Sequence, residues 1–309
     1  MSQRSALTES TATEVRERHF VVSTELSDYW ALTKPEVNFL ILITTLAGFY
    51  LASVSDGRFS FARVFNTLLG TLLVASGTGA LNQYLERNFD AQMRRTARRP
   101  AAAGRVTPSA VLVFGTALAV TGTIYLATAV NLLSSALATL TLLTYLFVYT
   151  PLKRKTPLCT LVGAFPGAMP PLIGWVAASG NLTIQAWTLY ALLFLWQFPH
   201  FMAIAWMYRE DYDRAGYLVL PHDDTHRPRF INCLTLLPIL ALALLSLVPG
   251  SAGASRMSYS IASVFLSLGF LYYGARFILN KSGSTARQLL GASIIYLPLL
   301  FALIVVPRD

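Results

Sequence analysis

Charged residues drop out of this chain in long stretches. Arg, Lys, Asp and Glu are missing from Val37–Ser55, Val64–Leu85, Val106–Leu152, Thr156–Tyr208, Phe230–Ser255, Met257–Ala275 and Gln288–Pro307. A helix that crosses a bilayer needs about 20 predominantly apolar residues. Val106–Leu152 is 47 residues long and Thr156–Tyr208 is 53, so each holds two helices. Their breaks are predicted at Asn131 and at Ser179-Gly180-Asn181, residue types typical of turns. The pattern therefore predicts nine transmembrane helices. Strands are excluded, because these runs do not alternate as barrel strands do, and a helix satisfies its backbone groups within one segment. The fold class is all-α: a polytopic membrane bundle with two charged cytoplasmic loops. It occupies residues 29–309, behind a polar cytoplasmic tail over 1–28 with no transit-type pattern and no short apolar signal run.

Composition narrows the picture further. Hydrophobic residues make up 54% and charged residues 13%, about half the charged share of an ordinary soluble domain. A disordered chain, a coiled coil and a soluble enzyme are all poor fits. Two cysteines, Cys159 and Cys233, cannot make a disulfide scaffold or a four-ligand metal centre. The net charge of +9 is explained by where it sits. With the helices numbered one to nine, the N-terminal segment through Lys34 and the loops after helices two, four, six and eight hold 20 of the 24 Lys and Arg. The positive-inside rule places that side in the cytoplasm, with the N-terminus cytoplasmic and the C-terminus periplasmic. A bacterial inner membrane fits, and no nucleic-acid partner is expected.

Two cytoplasmic loops, Glu86–Arg105 and Arg209–Arg229, are long and dense in charge. At the entry to the first, Asn82, Glu86 and Asp90 are spaced i, i+4, i+8. On a helix these share one face and climb about 6 Å per step. Oxygen donors in a row suit Mg²⁺, which takes one or two carboxylates and completes its shell with phosphates and waters. A helix end entering water accommodates carboxylates too, but Arg94, Arg95, Arg98 and Arg99 follow at once. Acids attract a metal and arginines attract an anion; together they describe a metal-bridged phosphate site. Tyr149-Thr150-Pro151-Leu152-Lys153-Arg154-Lys155 adds a hydroxyl and cations at the same depth, although Tyr followed by Lys/Arg is also the usual interfacial pattern. His200 lies about two turns inside helix six, where bridging neighbouring helices and contacting a substrate or metal are both open readings. Glu210, Asp211 and Asp213 bring acids to the same mouth, and Asp211-Tyr212-Asp213 echoes Asn88-Phe89-Asp90 four helices earlier, as a duplicated four-helix unit would. Phe194, Trp196, Phe198 and Trp206 are candidates to line a chamber and face a cation.

These stretches, with Thr33-Lys34-Pro35-Glu36, Met93-to-Pro100, and Pro199-His200-Phe201 leading to Ala215-Gly216, resemble the intramembrane aromatic prenyltransferases, the superfamily of 4-hydroxybenzoate polyprenyltransferase. Within it they are most similar to the protohaem IX farnesyltransferases, or haem O synthases, over about Tyr29 to Pro307. The resemblance implies a reaction: farnesyl diphosphate is ionised with Mg²⁺, its C1 joins a vinyl group of protohaem (haem B), and water completes the side chain of haem O. It implies metal ligands among Asn82, Glu86, Asp90, Asp211 and Asp213. Diphosphate contacts fall to Arg94, Arg95, Arg98, Arg99, Tyr149, Lys153 and Arg154, the catalytic set is Asp90, Arg95 and Lys153, and His200 touches the haem. The superfamily's second Asp-x-x-x-Asp element is not intact, since Arg209 precedes Asp213 by four and Ala215 follows Asp211 by four; both aspartates stay candidates. The bilayer and a haem A synthase that uses haem O are the implied partners. The competing readings are a prenyltransferase of the quinone or chlorophyll type and, from another class, a transporter built on broken helices at Gly163, Pro166, Gly167, Pro170 and Pro171.

Overall fold

A computed structural model of the protein describes residues 25–57, 59–221, 229–248 and 256–305. Most of the predicted tail, and Arg58 and Arg308, lie outside the described residues. Every regular element among the described residues is helical. A short helix α1 (25–32) begins inside the segment read as tail and leads into α2 (Pro35–Asp56), α3 (Phe61–Asp90) and α4 (Pro108–Ala129). The next span starts as α5 (Leu132–Leu143), widens into a π turn over Thr144–Tyr149 and ends as α6 (Thr150–Leu152). Then come α7 (Cys159–Gly167), α8 (Met169–Ser179), α9 (Ile184–Met207), α10 (Arg209–Arg214), α11 (Arg229–Leu245), α12 (Arg256–Leu279) and α13 (Gly283–Val305).

Eight of the described helical segments are long and apolar enough to cross a membrane; α11, at 17 residues, is the shorter ninth. The predicted breaks fall where expected. Asn131 caps α5, its side chain accepting from the Ser134 amide, and Gly180 ends α8 in a left-handed conformation. The span from Cys159 to Ser179 is broken at Ala168, just before Pro170 and Pro171, which lack the amide a continuous helix needs.

Neighbouring spans pack as pairs: α3 on α4, α2 on α8, and α9 on both α11 and α13. Contacts between α13 and α2 bring the first and last spans together. The α2–α8 pair is held backbone to backbone, because a Cβ on Gly174 would overlap the Thr45 carbonyl and one on Gly48 the Pro171 carbonyl. Small residues give helices in lipid such close contact. The core of the C-terminal half gathers Leu192, Met202, Ile231, Phe270, Phe277 and Tyr296, which leaves the C-terminal ends of α3 and α6, with the short α10, to build the polar site.

Candidate active site

Asn82, Glu86 and Asp90 line one face of the C-terminal end of α3, at 1%, 5% and 1% exposure. Burying two carboxylates is costly unless cations accompany them, and cations do. Lys153 Nζ donates to Glu86 Oε1 and Oε2 at 2.8 and 3.1 Å. The Tyr217 hydroxyl adds a bond to Oε1 at 3.0 Å, and Asn82 Nδ2 one to Oε2 at 2.9 Å. Arg99 Nη1 donates to Asp90 Oδ2 at 2.8 Å. Asn82 Oδ1 accepts from Lys34 Nζ at 2.7 Å.

The π turn explains how Lys153 arrives. Pro151 has no amide, and its ring would meet the carbonyl four residues back, so the turn ahead widens. The Thr150 amide bonds to the Tyr145 carbonyl, and the Thr150 hydroxyl bonds to it as well at 2.8 Å. Tyr149 is then seated over Gly163, where a Cβ would come within 2.6 Å of its ring. Lys153 Nζ lies 4.6 Å from the Tyr149 ring centre.

The described parts of the two charged loops pack together beside the end of α3. Met93, Ala215 and Tyr217 form a small core with Phe89, Tyr212 and Val219. Gly216, at φ 70°, turns the chain back so that Tyr217 points down at Glu86. Asp211 accepts from the Arg95 amide at 3.2 Å and from Arg214 Nη1 at 3.0 Å. The Leu218 amide bonds to the Lys153 carbonyl at 2.6 Å.

Electrostatics follow from these contacts. Burial pulls the Lys153 pKa down, but Glu86 raises it well above the ordinary lysine range, so the ammonium persists at neutral pH. Burial raises Asp211, yet the amides of Arg95 and Arg94 and the Arg214 side chain outweigh it and hold the carboxyl below its usual value. Withdrawal from water and the charge of Arg99 bring Lys34 down to about 7, against the pull of Glu86. Burial, then Glu86, raises Tyr217, which stays a neutral donor.

Asp90 Oδ1 is buried with no hydrogen-bond partner among the described residues. An unpaired anionic oxygen is costly to bury, and it suits a hard cation that brings waters or phosphate oxygens of its own. Mg²⁺ fits at Asp90 on that ground. Glu86 has both oxygens engaged by Lys153, Tyr217 and Asn82, so a metal there has to displace one of them. Among the described residues no three His, Cys, Asp or Glu side chains converge as a complete metal cage.

The sequence profile of the UbiA prenyltransferase family matches residues 41–302. The chain belongs to that family. It is 44% identical over 295 residues to a protoheme IX farnesyltransferase of Solibacter usitatus, covering 92% of this chain and 99% of the relative. A protein of the same name from Aquifex aeolicus is 40% identical, with 91% and 95% covered. Among solved structures, a digeranylgeranylglyceryl phosphate synthase superposes with a TM-score of 0.73 at 16% identity, covering 92% of this chain and 98% of that one. A UbiA homologue from Archaeoglobus fulgidus, bound to GPP and Mg²⁺, gives 0.58 at 14%, covering 90% and 99%. At these identities the structural likeness speaks for the fold alone. Family membership sets aside the transporter reading: the chain is a membrane prenyltransferase.

The prenyltransferase brings together some of the residues its sequence singled out and separates others. Asn82, Glu86 and Lys153 meet directly, and one turn further along α3 Asp90 meets Arg99. Arg94, Arg95 and Arg98 lie along the rim, with Arg95 over the Tyr208 ring at 5.1 Å. Arg154 covers Phe89 and helps line a cleft of about 210 Å³ with Glu86, Thr150, Leu146, Phe147 and Tyr217. Asp211 anchors the 93–96 turn, whereas Asp213 is exposed. His200 stands apart from the cluster: its Nδ1 bonds to Ser293 Oγ of α13 at 2.8 Å, and Trp196 stacks on its ring at 4.7 Å. Trp196 in turn donates to the Ser293 carbonyl, Trp206 packs on Phe277, and Phe194 lies between Phe165 and Phe198. Three site residues escaped the sequence reading of roles. Lys34 precedes a proline at a helix start, Tyr217 follows a glycine turn, and Thr150 precedes Pro151; those are the signals that point to them.

Proposed function

We propose that this prenyltransferase moves a farnesyl group from farnesyl diphosphate to a vinyl group of protohaem IX, giving haem O. The C1–O bond of the diphosphate breaks, C1 bonds to the vinyl carbon, and water supplies the hydroxyl and releases a proton. The observation that carries the reading is the buried Asn82–Glu86–Asp90 rail, faced by Lys153 and Arg99 and rimmed by further arginines. The names borne by relatives up to 44% identical support farnesyl diphosphate and haem as the substrate pair.

Diphosphate leaves carbon readily only when its charge is neutralised. Lys153 and Arg99 are held by their carboxylates where that charge develops, which avoids reorganisation during the reaction. Mg²⁺, held by Asp90 with Asn82 and Glu86 nearby, would add Lewis-acid neutralisation of the leaving group. Asp211 and Asp213 are the candidates for a second ion; the bonds to Asp211 make it the positioning residue of the arginine turn. Arg94, Arg95, Arg98 and Arg154 lie where they can gather the anion, and the Tyr149 ring faces the reacting end. The surrounding spans exclude water, which would otherwise quench an allylic cation. A bacterial inner membrane with the N-terminus cytoplasmic and the C-terminus periplasmic follows from the loop charges, and haem A synthase is the downstream partner for the product.

Incubation of the purified protein with haem B, farnesyl diphosphate and Mg²⁺ tests the reading by mass analysis of the pigment. The expected product is haem O, with its yield abolished by EDTA. Unchanged haem, with prenylation of a quinone precursor instead, overturns the acceptor assignment.

His200 is the proposed haem contact. Its Nδ1 is fixed by Ser293, and Nε2 has no hydrogen-bond partner among the described residues. Nε2 is the nitrogen for haem iron or a propionate. His200→Ala is expected to weaken haem binding about tenfold or more, the size of one strong contact, and leave farnesyl diphosphate affinity within about twofold. Titration of both ligands and a melting curve check it. A lower melting temperature with both affinities kept reduces His200 to a bridge between α9 and α13.

A further inference from the structure

Charge in the buried cluster is not balanced. Glu86 is paired with Lys153 and Asp90 with Arg99. Lys34 is the remaining basic side chain, and its Nζ meets the neutral amide oxygen of Asn82 at 2.7 Å. Among the described residues no carboxylate lies within ion-pair distance of it. Asn82 uses one N–H of this amine, so a basic group with a further donor to offer stands beside the rail.

The backbone that delivers it is unusual. Lys34 has φ 55° and ψ 63°, and it is the one non-glycine residue with positive φ among those described. Such a conformation is disfavoured for a side chain with Cβ and persists where its surroundings enforce it, often at functional sites. Here α3 and α2 enforce it. Gln83 Nε2 donates to the Ala31 and Leu32 carbonyls, each at 3.2 Å. Asn38 Nδ2 donates to the Thr33 carbonyl and to Ser76 Oγ, each at 2.8 Å. Gly79 gives the turn room, since a Cβ there would lie 3.3 Å from the Thr33 carbonyl and 3.6 Å from Lys34 Cδ. Pro35, at the first turn of α2, fixes the exit of the chain. A tie between α1 and α3 alone needs none of this aim; the clamps already make that tie through main-chain carbonyls.

We propose that Lys34 is a diphosphate-binding residue of this site, with Gln83, Asn38 and Gly79 positioning it by clamping the left-handed turn. Lys34 and Lys153 then flank the rail, each reaching the anion from a different span. The inference rests on the reading that the site takes an allylic diphosphate.

The test uses inorganic diphosphate with Mg²⁺ as the probe, titrated into the purified full-length protein, with melting curves alongside. Lys34→Asn removes the charge and keeps a residue that tolerates the left-handed region; Lys34→Gly is the second variant, free of backbone strain. Both are expected to bind diphosphate about tenfold or more weakly, the scale of a charge-assisted hydrogen bond, with no loss in melting temperature. Lys34→Arg should recover part of the affinity, which a purely structural role does not explain. Affinity within about twofold of wild type in the Asn and Gly variants overturns the proposal. So does unfolding of both, which makes Lys34 a structural tie. If the wild-type protein itself binds no diphosphate, the proposed function falls and takes this role with it.

Discussion

Asp90→Ala is expected to lower turnover about a thousandfold or more, the scale of losing several kcal/mol of transition-state charge stabilisation. The fold should survive. Asp90 is 1% exposed, and its Oδ1 has no partner among the described residues, so the substitution removes an anionic oxygen that is costly to bury. Its ion-pair partner Arg99 has a side chain 26% exposed, so it can turn to water when the carboxylate goes. A steady-state assay with farnesyl diphosphate and haem B, with a melting curve, decides the matter. Wild-type turnover sinks the placement of the metal and diphosphate at Asp90. Asn82→Ala should be milder, since an amide only supplements the carboxylates.

Glu86→Ala is expected to behave differently, losing both activity and about 3–5 kcal/mol of stability, the usual cost of stranding one half of a buried ion pair. Glu86 gathers Lys153, Tyr217 and Asn82 from three separate segments. Without it, desolvation acts on the Lys153 amine with its main opposing charge gone, and the raised pKa falls. In the intact protein the sign is the reverse. A lysine pKa raised by folding contributes stability below its unfolded value, and that stability is lost only as pH rises through the folded value, far above neutrality. The double variant Glu86→Ala with Lys153→Met should recover much of the stability, because two apolar groups leave no buried charge unpaired. It should not recover activity. Denaturation midpoints of the single and double variants measure this. A Glu86→Ala protein as stable as wild type would show that the pair is solvated.

The sequence was most legible where physics acts within one segment. Charge-free runs of spanning length mark the helices because backbone groups in lipid must be satisfied locally. The i, i+4, i+8 spacing of Asn82, Glu86 and Asp90 is enough to put them on one face, since the helical period alone sets it. Loop charge marked the busy end of the bundle. The Thr150-Pro151 pair is plain in the sequence, but the π turn it produces is not. Asp211 was legible as an acid near the site, and not as the residue that ties down the arginine turn.

What the sequence by itself determined is therefore the membrane class, the order of the spans, the acid rail and the arginine-rich loop beside it. Only the tertiary structure decided which cation meets which carboxylate. Lys34 and Asn82 are 48 positions apart, Glu86 and Lys153 are 67, and Glu86 and Tyr217 are 131. A helix fixes its side chains about its own axis. Their partners on other helices depend on close backbone packing, as at Gly48 and Gly174, and on turns such as those at Lys34 and Gly216. Those are properties of the assembled bundle, set by how the surfaces fit, and spacing along the chain does not encode them.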